Sequence, residues 1–332
     1  MELLIYLILF LLVLIVSSTT NKLLPFLPLP LVQILLGIVI GLFLPNTDFH
    51  LNTELFLALV IGPLLFRESE EADITAILKH WRIIVYLIFP VIFISTLSLG
   101  GLAHLLWLSL PLAACLAVGA ALGPTDLVAF ASLSERFSFP KRVSNILKGE
   151  GLLNDASGLV AFQVALTAWT TGAFSLGQAS SSLIFSILGG FLVGFLTAMT
   201  NRFLHTFLLS VRATDIASEL LLELSLPLVT FFLAEEVHVS GIIAVVVAGI
   251  LKASRFKKIT LLEAQVDTVT ETVWHTVNFM LNGSVFVILG MELEMIAEPI
   301  LTNPIYNPLL LLVSIIALTF VLFAIRFVMI YG

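Results

Sequence analysis

The sequence predicts an all-α integral membrane protein with about eleven transmembrane helices, and three observations carry that expectation. Hydrophobic residues make up 59% of the 332-residue chain and charged residues only 11%. An ordinary soluble domain would carry about 25% charged residues. Mean hydropathy is +1.13. Apolar runs recur at about the 20-residue length that a helix needs to cross a hydrocarbon core. Short polar loops separate them, because backbone polar groups must pair within the segment inside lipid.

In order along the chain, the expected spans cover residues 3–18, 24–44, 54–66, 82–103, 108–134, 144–170, 182–204, 217–234, 239–252, 272–292 and 309–331. The first has no basic n-region and no A-x-A-like cleavage site, so it reads as a retained span and not as a signal peptide. Cationic residues before the last span fall only at alternate loops. Lys22 lies in the first loop, Arg67, Lys79 and Arg82 in the third, and Arg136, Lys141, Arg142 and Lys148 in the fifth. Arg202 and Arg212 lie in the seventh, and Lys252, Arg255, Lys257 and Lys258 in the ninth. The positive-inside rule makes these odd loops cytoplasmic, which puts the N terminus outside.

Formal net charge is −7, but the acids sit mostly in loops, as in Glu68, Glu70, Glu71 and Asp73, where a solvated face accounts for them. The charge therefore points to no nucleic-acid partner. Cys115 is the only cysteine, which rules out an internal disulfide and leaves a small buried apolar role. The six histidines show no metal-ligand spacing. No nucleotide-binding loop or dinucleotide fingerprint is present, so no cofactor is expected and energy would come from an ion gradient. Gly37 with Gly41, and Gly190 with Gly194, offer small faces for close helix packing.

Against this background two acids stand out. Asp126 lies in AACLAVGAALGPTDLVAFASL and Asp155 in GEGLLNDASGLVAFQVAL. A charge near the bilayer centre costs about 2.5–3.5 kcal/mol even on lenient insertion scales, so intramembrane acids mark ion or proton pathways. Gly123 and Pro124 precede Thr125 and Asp126. A proline lacks the N–H donor and clashes with the preceding turn, so the span is expected to break there. A break would free the carbonyls of Leu122 and Gly123 for a small cation at the negative end of a half-helix. On the next span Asp155 lies about 16 Å deep at about 1.5 Å per residue. It shares a face with Gly151, and Asn154 is beside it. The two acids could meet across the helix pair.

The stretch GPTDLVAFASLSERFSFPKRVSNILKGEGLLNDASGLVAF resembles the paired Thr-Asp and Asn-Asp motifs of the monovalent cation:proton antiporters, the group of NhaP-type bacterial antiporters and animal sodium/hydrogen exchangers. LPLPLVQILLGIVIG, GPLLF, HVSGIIAVVVAGI and NFMLNGSVFVILGMEL resemble that family's second, third, ninth and tenth spans. The resemblance implies a fold of thirteen spans built as inverted repeats, with a dimerisation part, hence a homodimer, and a core part that moves against it. It implies that Asp155 alternately binds a proton or a cation, that Thr125 and Asp126 form the broken-helix motif, and that Asn154 replaces a second aspartate, as in electroneutral members. It also implies a structural charge pair between Glu150 and Arg326, whose depths agree on the expected topology.

Three features depart from the family pattern. Leu127 stands where proline is usual, and Gly151 stands where many members have serine. The chain also stops after the eleventh span, so residues 1–332 are expected to be one antiporter domain truncated at its C-terminal end. The implied activity is exchange of Na⁺, Li⁺ or K⁺ for protons by alternating access in the cell membrane, with no catalytic residue and no cofactor. Two alternatives stay open. An intramembrane aspartyl protease also pairs two acids on neighbouring spans, although its glycine-flanked G-x-G-D is absent here. A non-transporting membrane scaffold or sensor would suit the early stop.

Overall fold

The computed structural model describes residues 2–24, 26–43, 52–125, 139–171, 176–211, 215–253, 261–302 and 308–331. These residues form helices joined by short connections, and no strand occurs among them. In chain order the helices are α1 (Glu2–Leu23), α2 (Leu29–Phe43), α3 (53–71), α4 (Ile74–Lys79), α5 (81–106) and α6 (Leu112–Leu122). They continue with α7 (Lys141–Thr171), α8 (Leu176–Ser210), α9 (Ile216–Glu236), α10 (Gly241–Ala253), α11 (Leu261–Thr302) and α12 (Pro308–Tyr331). Each expected span overlaps one of these helices. The short α4 falls in the loop expected after the third span.

Among the described residues four stretches, Phe185–Leu208, Ile216–Glu236, Thr268–Ile296 and Pro308–Met329, are long and apolar enough to cross a membrane. Shorter apolar helices of 10–17 residues accompany them. Several helices outrun the apolar part of their span, α11 most of all, because hydropathy marks the lipid-buried length and not the helix.

Local irregularities follow the prolines. Helices α3 and α5 each contain a π turn, at Leu57–Ile61 and Leu87–Val91. Pro63 lies just after the first and Pro90 inside the second. A proline ring cannot donate to the fourth preceding carbonyl and clashes with it. Widening one turn lets the helix continue past that missing bond. At the start of α9, Asp215 accepts the Ser218 amide at 2.8 Å while the Ser218 hydroxyl accepts the Asp215 amide at 3.2 Å. This capping box satisfies two donors that a helix start leaves free. Hydrogen bonding by the Ser218 side chain first, and by its amide second, holds the Asp215 carboxyl below the usual carboxylate range.

The closest helix pairings form two groups. One joins α1, α2, α3 and α8–α11, and the other joins α4–α7 and α12. The first is centred on Phe66, Phe231, Val245, Ala248 and Trp274. In the second, Leu99, Ala103, Leu318 and the fully buried Cys115 pack together, which is the small apolar role expected of the cysteine. The groups meet where α7 passes α3.

Helix α8 shows how sequence sorts the faces. Phe185, Leu188, Leu192 and Phe195 are exposed, as lipid-facing residues are. Gly190 and Gly194 turn to α10, where a methyl on Gly194 would overlap the Ala244 carbonyl oxygen. The small-residue faces noted in the sequence thus serve packing within the chain. An equally close approach joins α2 and α11. A methyl on Gly290 would overlap the Ile34 carbonyl, and one on Gly37 would overlap that of Val287. Gly290→Ala is expected to push these helices apart at a cost of about 1–3 kcal/mol. Gly101→Ala, with nothing within 4 Å of the added methyl, is expected to be neutral or to stabilise by about 0.5–1 kcal/mol. Melting curves in detergent check both. Equal stability of the two variants would refute the packing argument.

Glu70 departs from the solvated role expected for it. Its carboxylate lies 3.0 Å from Arg67 and 3.2 Å from Lys252, and Lys252 also reaches Glu223 at 2.9 Å. The Trp274 indole donates to Glu223 at 2.9 Å, and Arg67 sits over the Trp274 ring. A loop acid becomes part of a half-buried ion cluster because α10 and α11 bring partners from far along the chain.

Candidate functional site

Helix α6 stops at Leu122, and the chain is non-helical from Gly123 through Thr125. Pro124 explains the stop, since it has no N–H for the Ala120 carbonyl. Opposite it, α7 carries Gly158 against Pro124, with no room for even a methyl at that position. The non-helical segment is thereby pressed onto the face of α7 that carries Gly151 and Asn154, both buried.

Four side chains converge there. Thr125 donates its hydroxyl to Glu150 Oε1 at 3.2 Å, and Asn154 donates Nδ2 to the same oxygen at 3.1 Å. Asn154 Nδ2 also reaches Thr125 Oγ1 at 3.1 Å. Arg326 of α12 places Nη1 3.3 Å from Glu150 Oε1. Glu150 is 1% exposed and Asn154 0%. A carboxylate so far from solvent needs a counter-charge and donors, and the cluster supplies both.

The other guanidinium nitrogen, Nη2, donates to the Gly123 carbonyl at 2.8 Å. That carbonyl was expected to be free for a cation; instead one of its two acceptor positions is taken by an arginine. The reason is electrostatic as well as geometric. The carbonyl end of a helix carries partial negative charge, and Arg326 can serve it and Glu150 together because its fork presents separate donors.

One acceptor in the cluster has no donor among the described residues. Asn154 Oδ1 is buried without a hydrogen-bond partner there. The amide orientation is fixed by its neighbours, because Nδ2 must face the acceptor-only carboxylate of Glu150. Buried polar atoms left unpaired are rare and call for an explanation.

The structure therefore brings Gly123, Pro124, Thr125, Glu150, Asn154 and Arg326 into one place. Asp126 lies outside the described residues. Asp155 is described only as a position of α7, one residue after Asn154 and between Gly151 and Gly158. The described residues contain no group of three or more His, Cys, Asp or Glu placed to hold a metal. Two features were not read from the sequence: the arginine contact to a backbone carbonyl, and the seating of Gly158 on Pro124. A glycine one helical turn beyond the Asn-Asp pair was the available signal for the second.

The transmembrane model of the sodium/hydrogen exchangers matches residues 7–332. The chain is 37% identical, over 94% of its length and 47% of the relative's, to the sodium, potassium, lithium and rubidium/H⁺ antiporter of Bacillus subtilis strain 168. It is 36% identical, over 98% of its length and 48% of the relative's, to the protein of the same description from Bacillus pumilus. It thus spans about half the length of these curated relatives, 47% and 48%. Among solved structures it is similar to the sodium proton antiporter MjNhaP1 of Methanocaldococcus jannaschii. The TM-score is 0.66 at 20% identity, with 88% of this chain and 71% of that one covered.

Proposed function

The chain belongs to the sodium/hydrogen exchanger family of multi-pass membrane proteins, and from that membership and the buried cluster around Glu150 we propose that it exchanges a monovalent cation for protons by alternating access. The observation that carries the reading is the orphaned Asn154 Oδ1 beside position 155. An acceptor without a donor, deep in an apolar helix pair, suits a cation or a protonated carboxyl that comes and goes.

In this reading Asp155 holds either the proton or the cation, and Asp126, Thr125 and Asn154 complete its surroundings. The segment from Gly123 to Asp126 joins two halves of one broken helix. Glu150 is paired with Arg326 and does not take part in exchange. One carboxylate then titrates per cycle, which makes transport electroneutral. The group α4–α7 and α12 is the part that moves, and the other group is the frame against which it moves. The descriptions of the Bacillus relatives name sodium, potassium, lithium and rubidium, so the ion here is taken as Na⁺, with Li⁺ and K⁺ as companions. The N terminus faces outward, two chains form a dimer, and the cell membrane is the site of action.

Inside-out vesicles with an acid interior test this directly. Addition of Na⁺, Li⁺ or K⁺ is expected to alkalinise the lumen, at a rate that a clamped membrane potential leaves unchanged. An inserted, folded chain that gives no response to any of the three ions overturns the exchange reading. A potential-dependent rate overturns electroneutrality alone.

A further inference from the structure

A cavity of about 290 Å³ lies between the two helix groups. It is walled by Leu57 of α3, Gln163 of α7, Ser186 of α8, Glu235 of α9 and the chain from His238 into α10. The turn between α9 and α10, and the end of α3 next to Leu57, belong to loops without a single Lys or Arg. On the positive-inside rule this is the outer side. Gln163 lies eight residues beyond Asp155 on α7, about 12 Å further out along the helix. The cavity therefore sits above position 155, toward the external face.

Its polar lining combines one carboxylate, the His238 imidazole and neutral side chains. Glu235 supplies the only carboxylate among the described lining residues, and Gln163, Ser186 and Ser240 supply neutral oxygens. The Glu235 carboxylate is seated by the start of α10. Its Oε1 accepts the Gly241 amide at 3.3 Å, and a methyl on residue 241 would stand 2.9 Å from that oxygen. Glycine at 241 leaves the carboxylate its place at the cavity wall. His238, at φ 56°, turns the chain in the left-handed region between the two helices.

We propose that this cavity is an external waiting site for the transported cation, with Glu235 as its attracting charge. The assignment rests on the exchange reading above and adds a second cation station to it. A carboxylate in a cleft with low-dielectric walls concentrates cations, since such walls focus the field. The volume is about ten times the ~30 Å³ share of one water molecule in the liquid. It therefore takes a hydrated monovalent ion, held by one full charge and several neutral oxygens, and leaves dehydration to the deeper site.

The test uses a thiol as a field probe. Gln163→Cys is placed in the full chain, whose single native thiol, Cys115, is buried. Cationic and anionic membrane-impermeant thiosulfonates are then applied from outside to right-side-out vesicles. The cationic reagent is expected to label faster, and Glu235→Gln to cut the cation-to-anion rate ratio about fivefold. Glu235→Asp should restore it. In transport, Glu235→Gln is expected to raise the apparent KM for external cation several-fold, and by more than the KM for cytoplasmic cation. A labelling ratio indifferent to Glu235→Gln, no labelling from outside, or a KM raised equally at both faces overturns the proposal. Labelling does not require transport. A chain that labels as expected but moves no ion refutes the exchange reading while leaving the field of Glu235 established.

Discussion

Vesicles carrying Asp155→Asn are expected to lose cation-coupled proton movement to background, a fall of about a hundredfold or more, while the chain inserts and folds as before. Asparagine matches aspartate in size, so the packing of α7 against the segment at Pro124 is kept. It can neither bind a proton reversibly nor neutralise a cation. Glu150 and Asn154 cannot take over. Glu150 is tied to Arg326, Thr125 and Asn154 through one oxygen, and Asn154 is itself an amide. If Asp155 is the shared site, proton and cation compete, and the unaltered chain should show a further signature: apparent cation affinity falls as pH drops, approaching about tenfold per pH unit where the proton occupies the site. Full activity in Asp155→Asn would remove Asp155 from the mechanism. A cation affinity independent of pH would leave Asp155 essential but separate the two sites.

How much of this was legible in the sequence depends on distance along the chain. The helix end at Leu122, just before Pro124, was, because its cause lies within one turn of its effect. The contact of Asn154 with Glu150, four residues apart on one helix, lay within reach of the same local argument, but the spacing was read only for Gly151 and Asp155. The pairing of Glu150 with Arg326 crosses much of the chain; it came from the resemblance, and matching helix depths agreed with it. The Arg326 contact to the Gly123 carbonyl was not legible, since nothing in the spacing tells a backbone oxygen which distant side chain will reach it. Glu70 failed for the same reason: its partner Lys252 is contributed by α10. The glycine faces of α2 and α8 were visible as small-residue spacing, but their partners on α11 and α10 were not. Glu235 drew no reading from the sequence; the fold sets Gln163 across a cavity from it.

The second large effect concerns stability. Arg326→Met is expected to destabilise the protein by about 3–5 kcal/mol, because it leaves the buried Glu150 carboxylate without its counter-charge. Glu150→Gln alone should cost less, since the amide keeps an oxygen for Thr125 and loses the charge that needed balancing. The double variant Glu150→Gln/Arg326→Met should recover much of the loss, with a coupling energy at the upper end of the roughly 0.5–3 kcal/mol range for contacting residues. Arg326→Lys separates the two tasks of the guanidinium. A lysine ammonium preserves the charge opposite Glu150 but is a single point where Arg326 holds Glu150 and the Gly123 carbonyl with different nitrogens. That variant is expected to melt close to the unaltered chain yet exchange ions more slowly, because the carbonyl end of α6 is no longer fixed to α12. Melting curves for the four corners of the cycle, with exchange rates beside them, decide the matter. Strictly additive losses would mean that the 3.3 Å contact contributes no coupling, and unimpaired exchange in Arg326→Lys would mean that the carbonyl contact is incidental to transport.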